Sequence, residues 1–313
     1  MINGMLPKRF FLSVVLMISL QLLNSAFAEK VVLPKGEGLN CQRIVSVSPA
    51  LSDMMVELKL DKNIVGATRY CQLPESSSRE IVGGYFDLNF EKVVSLNPDI
   101  VFLEGGINNP VATRLNSLGV RTRVFPLDRI DEIEAAMQEI GHFCEGEMIL
   151  ETLTLREKLI SRVPTDIQSG DAPSPKVLML YNYGNSAEKI LPKLAAGRSF
   201  HGELLTTLGF ENVYVGSLNA PELTREAISL LNPEWIFILN GDLEKEGQER
   251  GTIEVEKLQP RWEFLANVEA LKNGHVYELR GPYTQIPSAS AMEKLGESLI
   301  DLVYPYTDTG EEL

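Results

Sequence analysis

Short continuous apolar blocks alternate along this chain with stretches whose apolar residues recur at helical spacing. The first block, Arg43-Ile-Val-Ser-Val-Ser48, reads as a buried strand, with Pro49 as the turn that ends it. Residues 50–60 carry a helical pattern and 63–68 a second strand. Helices are then expected at 88–96, 110–118 and 130–143, with strands at 99–103 and 121–125 between them. From 147 to 163, Ile149, Leu153, Leu159, Ile160 and Val163 keep mostly helical spacing until Pro164 stops it. Residues 165–175 are rich in Asp, Ser, Gly and Pro and read as a linker. The alternation then restarts. Strands are expected at 176–181, 211–215, 234–239 and 275–279. Helices are expected at 199–208, capped by Ser199, at 223–231, mostly across 262–271, and at 288–304, capped by Ser288. Strands alternating with helices predict parallel β-α-β units.

An internal repeat organises these elements. Phe90-Glu91-Lys-Val-Val-Ser-Leu-Asn97-Pro98-Asp99-Ile-Val-Phe102 in the first half parallels Arg225-Glu226-Ala-Ile-Ser-Leu-Leu-Asn232-Pro233-Glu234-Trp-Ile-Phe237 in the second. The second copy follows the first at a constant offset of 135 residues (226 less 91). In each copy an apolar helix face runs into Asn-Pro, where proline forbids continuation, and a buried strand follows. The fold class expected is therefore α/β: two similar lobes with parallel sheets, 29–145 and 176–313, joined by one long bridging helix and linker over 146–175. Ligands of such sheets bind beyond the carboxyl ends of the strands, so two facing lobes imply a small-molecule cleft.

Composition adds bounds. The 313 residues, 44% of them hydrophobic, suffice for two cores. The net charge of −14 argues against a nucleic-acid partner. Residues 1–28 read as a cleavable secretory signal: Lys8 and Arg9, an apolar run from Phe10 to Leu23, and Ala26-Phe27-Ala28 as the cleavage site before Glu29. No cysteine stands directly after that site, so a lipid-anchored form is not indicated, and no later apolar stretch is long enough to span a bilayer. Export makes a disulfide permissible among Cys41, Cys71 and Cys144. In the expected topology Cys41 and Cys144 fall at the end of the first lobe away from the cleft and Cys71 at the cleft end. Cys41–Cys144 is then the preferred pair, with three free thiols as the alternative.

No catalytic constellation is visible. His142, His201 and His275 lie in no HExxH motif, there is no GxSxG elbow, and Gly83-Gly84 and Gly105-Gly106 lack phosphate-loop spacing. Neither a catalytic set nor a structural metal site is expected. His201, near a helix start, is weighed as an axial iron ligand against an inert position. The loops after the expected strands carry aromatics and arginines: Ser48, Arg69, Tyr70, Tyr85, Tyr181, Tyr183 and Tyr283. Tyrosine presents a flat apolar face with a hydroxyl, and arginine presents paired donors, chemistry suited to a chelate or macrocycle. Glu91 and Glu226, in the first turns of equivalent helices, suit docking onto basic groups of a two-subunit partner; helix-start stabilisation is the plainer role.

Several stretches carry a family resemblance: Arg43-Ile-Val-Ser; Gly66-Ala-Thr-Arg-Tyr-Cys71 with Pro74; Val82-Gly-Gly-Tyr85 through Asn89-Phe-Glu91; Leu96-Asn-Pro-Asp-Ile-Val101; Leu118-Gly-Val120; Leu204 to Tyr214; Leu231-Asn-Pro-Glu; and Val268 to Tyr277. In this order the chain resembles, over nearly its full length after residue 28, the periplasmic binding proteins of iron-siderophore, haem and vitamin B12 ABC importers. The resemblance implies Rossmann-like lobes with limited closure on binding. It implies a periplasmic monomer without an intrinsic cofactor that passes a corrinoid or ferric chelate to an inner-membrane permease dimer served by a separate ATPase. It makes Tyr85 a ligand-contact position and matches Glu91 and Glu226 to the carboxylates that meet permease arginines. A haem carrier and an exported ligand-sensing domain without transport are the alternative readings.

Overall fold

In a computed structural model, residues 41–84, 87–146, 155–182, 194–195, 197–216, 218, 221–241, 251–258 and 265–305 are described. The first sheet is built from β1 (Ile44–Ser46), β2 (Ile64–Ala67), β3 (Glu80–Ile81), β4 (Ile100–Glu104) and β5 (Thr122–Phe125). Its order is β3-β2-β1-β4-β5, every pair parallel. Its helices are α1 (Pro49–Glu57), α2 (Phe90–Ser95), α3 (Asn109–Ser117) and α4 (Ile130–Phe143). Pro49 does not end β1 as a turn. It occupies the first turn of α1 behind Ser48, the N-cap, whose side chain accepts from the Leu51 N–H. Proline fits there because its missing N–H has no intrahelical partner.

Next come α5 (Leu155–Ser161) and α6 (Thr165–Ser169), the latter falling inside the segment expected to be a linker. Residues 147–154 lie outside the described residues, so of the expected bridging helix only α5 is described. The second sheet contains β6 (Lys176–Asn182), β7 (Leu194–Ala195), β8 (Glu211–Asn212), β9 (Trp235–Asn240), β10 (Glu254–Lys257) and β11 (Val276–Arg280). Its interior is parallel, β11-β9-β6 with β8 also on β6, while β10 and β7 pair antiparallel to β11 and β6. The helices are α7 (Phe200–Thr207), α8 (Arg225–Leu231), α9 (Glu269–Lys272) and α10 (Ala289–Val303). Ser288 caps α10, accepting from the Ala291 N–H.

The repeat extends to the backbone. Asn89 caps α2 by accepting from the Lys92 N–H at 2.9 Å; Thr224 caps α8 by accepting from the Ala227 N–H at 3.2 Å. Asn97 and Asn232 end these helices in the left-handed conformation, with φ of 46° and 42°. Asparagine is among the few non-glycine residues that tolerate this region, so the Asn of each Asn-Pro turns the chain and the Pro prevents its return to helix.

Side chains alternate across both sheets with the period of two that strands impose. Ile44, Ile100 and Phe102 face one way and Val45, Val101 and Leu103 the other; in the second sheet Val177, Met179, Phe237 and Leu239 oppose Leu178, Leu180, Ile236 and Ile238. The first set of each sheet joins one continuous core with Leu51, Met54 and Met55 of α1, Ile133, Met137 and Ile140 of α4, Leu204 and Leu205 of α7 with Leu208 just after it, and Met292, Leu295 and Leu299 of α10. The lobes thus share a core within the compact unit Leu39–Leu313. Salt bridges Lys158–Glu293, Arg162–Glu297 and Arg162–Asp301, at 3.1, 2.9 and 2.7 Å, fasten α5 and the residue that follows it along α10. A disulfide joins Cys41 to Cys144, and Cys71 is a buried free thiol. No helix among the described residues is long and apolar enough to cross a membrane.

Candidate functional site

The order of the first sheet reverses at β1 and β4, whose outgoing chains diverge and leave a crevice at their carboxyl ends. Ser48 stands there, fully buried, and its hydroxyl donates to Glu104 Oε2 at 2.8 Å. Its two roles, capping α1 and holding Glu104, leave no surface of Ser48 for a ligand, and the expected direct contact is corrected to a positioning one. The crevice side chain is instead half-buried Glu104, which sequence reasoning missed. The available signal was an acid closing the apolar strand Ile-Val-Phe-Leu, followed by two glycines.

Arg69 and Tyr70 follow β2 and are exposed, Tyr70 at 42%. Arg69 donates to both Asp87 oxygens, Nη1 at 3.1 Å and Nη2 at 2.6 Å. Those bonds hold the Asp87 carboxyl below the usual carboxylate range and raise the Arg69 guanidinium. The guanidinium carbon lies 5.8 Å from the Tyr70 ring centroid. The cluster closes over Gly84, where a Cβ would lie 2.6 Å from both Arg69 Nη1 and Asp87 Oδ1, so only glycine fits without displacing the pair. Tyr85 lies outside the described residues, between Gly84 and Asp87 of this cluster in sequence.

In the second lobe the expected tyrosines diverge. Tyr183 lies outside the described residues. Tyr181 points into the shared core, its hydroxyl 2.7 Å from His201 Nδ1. His201 Nε2 is 2.7 Å from the Thr284 carbonyl. A carbonyl only accepts, so Nε2 carries the proton and Nδ1 accepts from Tyr181. Burial pushes the His201 pKa down to about 4, and the ring is neutral near pH 7. With both nitrogens engaged and the ring buried, the axial-ligand reading of His201 is overturned. Tyr283 is 3% exposed and donates to Asp53 of α1. Tyr181 and Tyr283 are therefore corrected from ligand contacts to interior positions: strand alternation sends Tyr181 inward, and the turn after β11 delivers Tyr283 to the other lobe. Beside them Arg280 pairs with buried Glu278 at 2.6 Å and Glu256 at 3.0 Å, and Asn240 Nδ2 donates to Glu278 at 3.0 Å.

Glu91 and Glu226 are the second residues of α2 and α8 and are exposed. Each follows a capping residue, at the helix end that a β-α-β unit sets beside the strand carboxyl ends. The Glu226 backbone N–H and the Thr224 hydroxyl lower the Glu226 carboxyl from its ordinary range. Among the described residues no group of three or more His, Cys, Asp or Glu is arranged to hold a metal ion.

A two-lobed α/β protein with a polar crevice at the strand ends has the architecture of a solute-binding protein. Residues 44–283 match the model of the periplasmic binding protein family, and the chain belongs to that family. Its members are substrate-binding proteins, not enzymes, and deliver ligands to ABC permeases. Among curated relatives, the vitamin B12-binding protein of Vibrio campbellii is 22% identical over 262 residues, covering 82% of this chain and 87% of the relative. Among solved structures, the periplasmic heme-binding protein HutB of Vibrio cholerae superposes with a TM-score of 0.66 at 19% identity, over 85% of this chain and 100% of that one. The petrobactin-binding protein YclQ of Bacillus subtilis gives 0.64 at 19% identity, over 86% and 94%. At such identities the superpositions establish the fold.

Proposed function

We propose that this protein captures a metal chelate between its lobes in the periplasm, after removal of residues 1–28, and passes it to an ABC permease dimer in the inner membrane whose ATPase is a separate subunit. The chelate is cargo, and the protein needs no cofactor of its own. The observation that carries the reading is the pair of equivalent helix starts: Glu91 and Glu226, both exposed, follow matching caps on two lobes of one binding-protein fold. A carrier that meets a two-subunit permease needs one contact per lobe, and two carboxylates in equivalent frames supply it to basic partner groups.

Arg69 and Tyr70, with Tyr85 and Tyr183, are the proposed ligand contacts; Ser48 acts through Glu104. The charge pattern supports a corrinoid over an anionic ferric chelate or haem. Arg69 is matched by Asp87 and Arg280 by Glu278 and Glu256, while Glu104 adds an acid to the crevice. A corrinoid carries neutral amide arms whose N–H groups a carboxylate such as Glu104 accepts, whereas a carboxylate or catecholate ligand calls for arginines that are not already matched.

The delivery step is tested with Glu91→Ala combined with Glu226→Ala. Ligand affinity is expected to match wild type while uptake by cells or transporter vesicles is lost. Lost affinity, or undiminished uptake, contradicts the docking role.

A further inference from the structure

The lobes meet through two related contacts. α1 is the first helix after the leading strand of its lobe and α7 is described in the same place in the second; α4 and α10 each follow the last parallel strand of their lobe. α1 packs on α10, and α7 packs on α4, each first helix meeting the other lobe's last. In both contacts a carboxylate from the first helix reaches the N-terminus of the last.

On one side stands Asp53, 2% exposed. It accepts from Ser288 Oγ at 2.6 Å, from Ser290 Oγ at 2.5 Å and from the Tyr283 hydroxyl. One helical turn further along α1, Glu57 Oε1 accepts the Ser290 N–H at 3.2 Å. On the other side Glu203 of α7 accepts the Ile130 N–H at 2.9 Å and pairs with Arg129 at 2.7 Å. The amides at 130 and 290 belong to the first turns of α4 and α10, where N–H groups lack intrahelical acceptors and the helix dipole favours negative charge. Tyr283 is itself held in place, because the neighbouring Thr284 carbonyl accepts from His201, which is tied to β6 through Tyr181.

We propose that these two cross-lobe carboxylate contacts form the joint that fixes the angle between the lobes, and so the width of the cleft, with Asp53 and Glu203 as positioning residues that do not touch the ligand. An apolar interface tolerates sliding because dispersion is non-directional. A buried carboxylate held by three hydroxyls does not: displacing α10 breaks the directional bonds from Ser288 and Ser290 where water does not replace them. The joint explains how a two-lobed chain keeps a preset cleft instead of paying for closure each time it binds.

The test is the lobe-to-lobe distance distribution of the full folded chain without ligand, so its outcome is independent of what the protein carries. Spin labels go at Ser117→Cys on α3 and Lys272→Cys on α9, both exposed. Asp53→Asn and Glu203→Gln, which keep side-chain shape, are each expected to broaden the distribution and shift it to longer distance, the double variant more than either. Ser290→Ala, which removes one bond and keeps the carboxylate, is expected to broaden it least and reports if the double variant does not fold. Distributions that superpose on wild type, even with a lowered melting temperature, overturn the joint and leave these residues a stabilising role only.

Discussion

The His201 ring sits with Nε2 donating to the Thr284 carbonyl and Nδ1 accepting from the Tyr181 hydroxyl, 3.9 Å from the Phe200 ring centroid. Its pKa of about 4 lies below the 6.5 of an unburied histidine, so between those values the unfolded chain binds the extra proton. The stability from keeping His201 neutral is fully present above pH 6.5 and is lost as pH falls toward 4. The span corresponds to on the order of 3 kcal/mol. Denaturant titrations from pH 7 to pH 4 should show that decline, and His201→Gln should flatten it while lowering stability at pH 7. An equal slope in the variant would assign the decline to carboxylates instead. The sequence had no means of showing this role. A histidine near a helix start is compatible with a ligand, a cap or a core position, and only the approach of residues 181 and 284 decides among them. The same holds for Tyr181 and Tyr283: their place after strands was legible, the direction of their side chains was not.

At the scale of elements, the Cys41–Cys144 bridge closes a loop of sequence separation 103 that contains every described strand and helix of the first lobe. Closing so long a loop restricts the unfolded chain, and a removed native bridge costs about 2–5 kcal/mol. Cys41→Ser with Cys144→Ser should therefore lower the unfolding free energy by roughly that amount, and reduction of the wild type should reproduce the loss; unchanged denaturation midpoints would show the bridge to be inert. The pairing was inferable because strand and helix directions place residues 41 and 144 at one end of the lobe. Ile130–Phe143 was legible to the residue because its apolar face is long and regular. β3, β7 and β10 were not: two have only two residues, and β10, Glu-Val-Glu-Lys, is an edge strand exposed along most of its length. Edge strands carry charge that hides them from hydrophobic patterning and guards them against aggregation.

Across the whole molecule, the repeat at Phe102 and Phe237 is what made two lobes visible in the sequence: both are fully buried and both face the shared core. The contacts between lobes were invisible there, because Asp53 to Ser290 and Arg129 to Glu203 join residues far apart in sequence with no local pattern. Trp235 emission is expected to report binding poorly, and Trp262 lies outside the described residues. Trp235 begins β9, at the end opposite the crevice, and stacks on His275 at 3.9 Å. Equilibrium dialysis of the chain from residue 29 against cyanocobalamin, haemin and ferric siderophores avoids that difficulty and tests the central claim directly. The expected result is saturable one-to-one binding of cyanocobalamin, weakened about tenfold or more by Arg69→Ala or Tyr70→Ala, as loss of a contact worth about 1.4 kcal/mol requires. Preferred binding of haemin or a ferric siderophore would overturn the corrinoid assignment, and binding of none would contradict capture of a metal chelate.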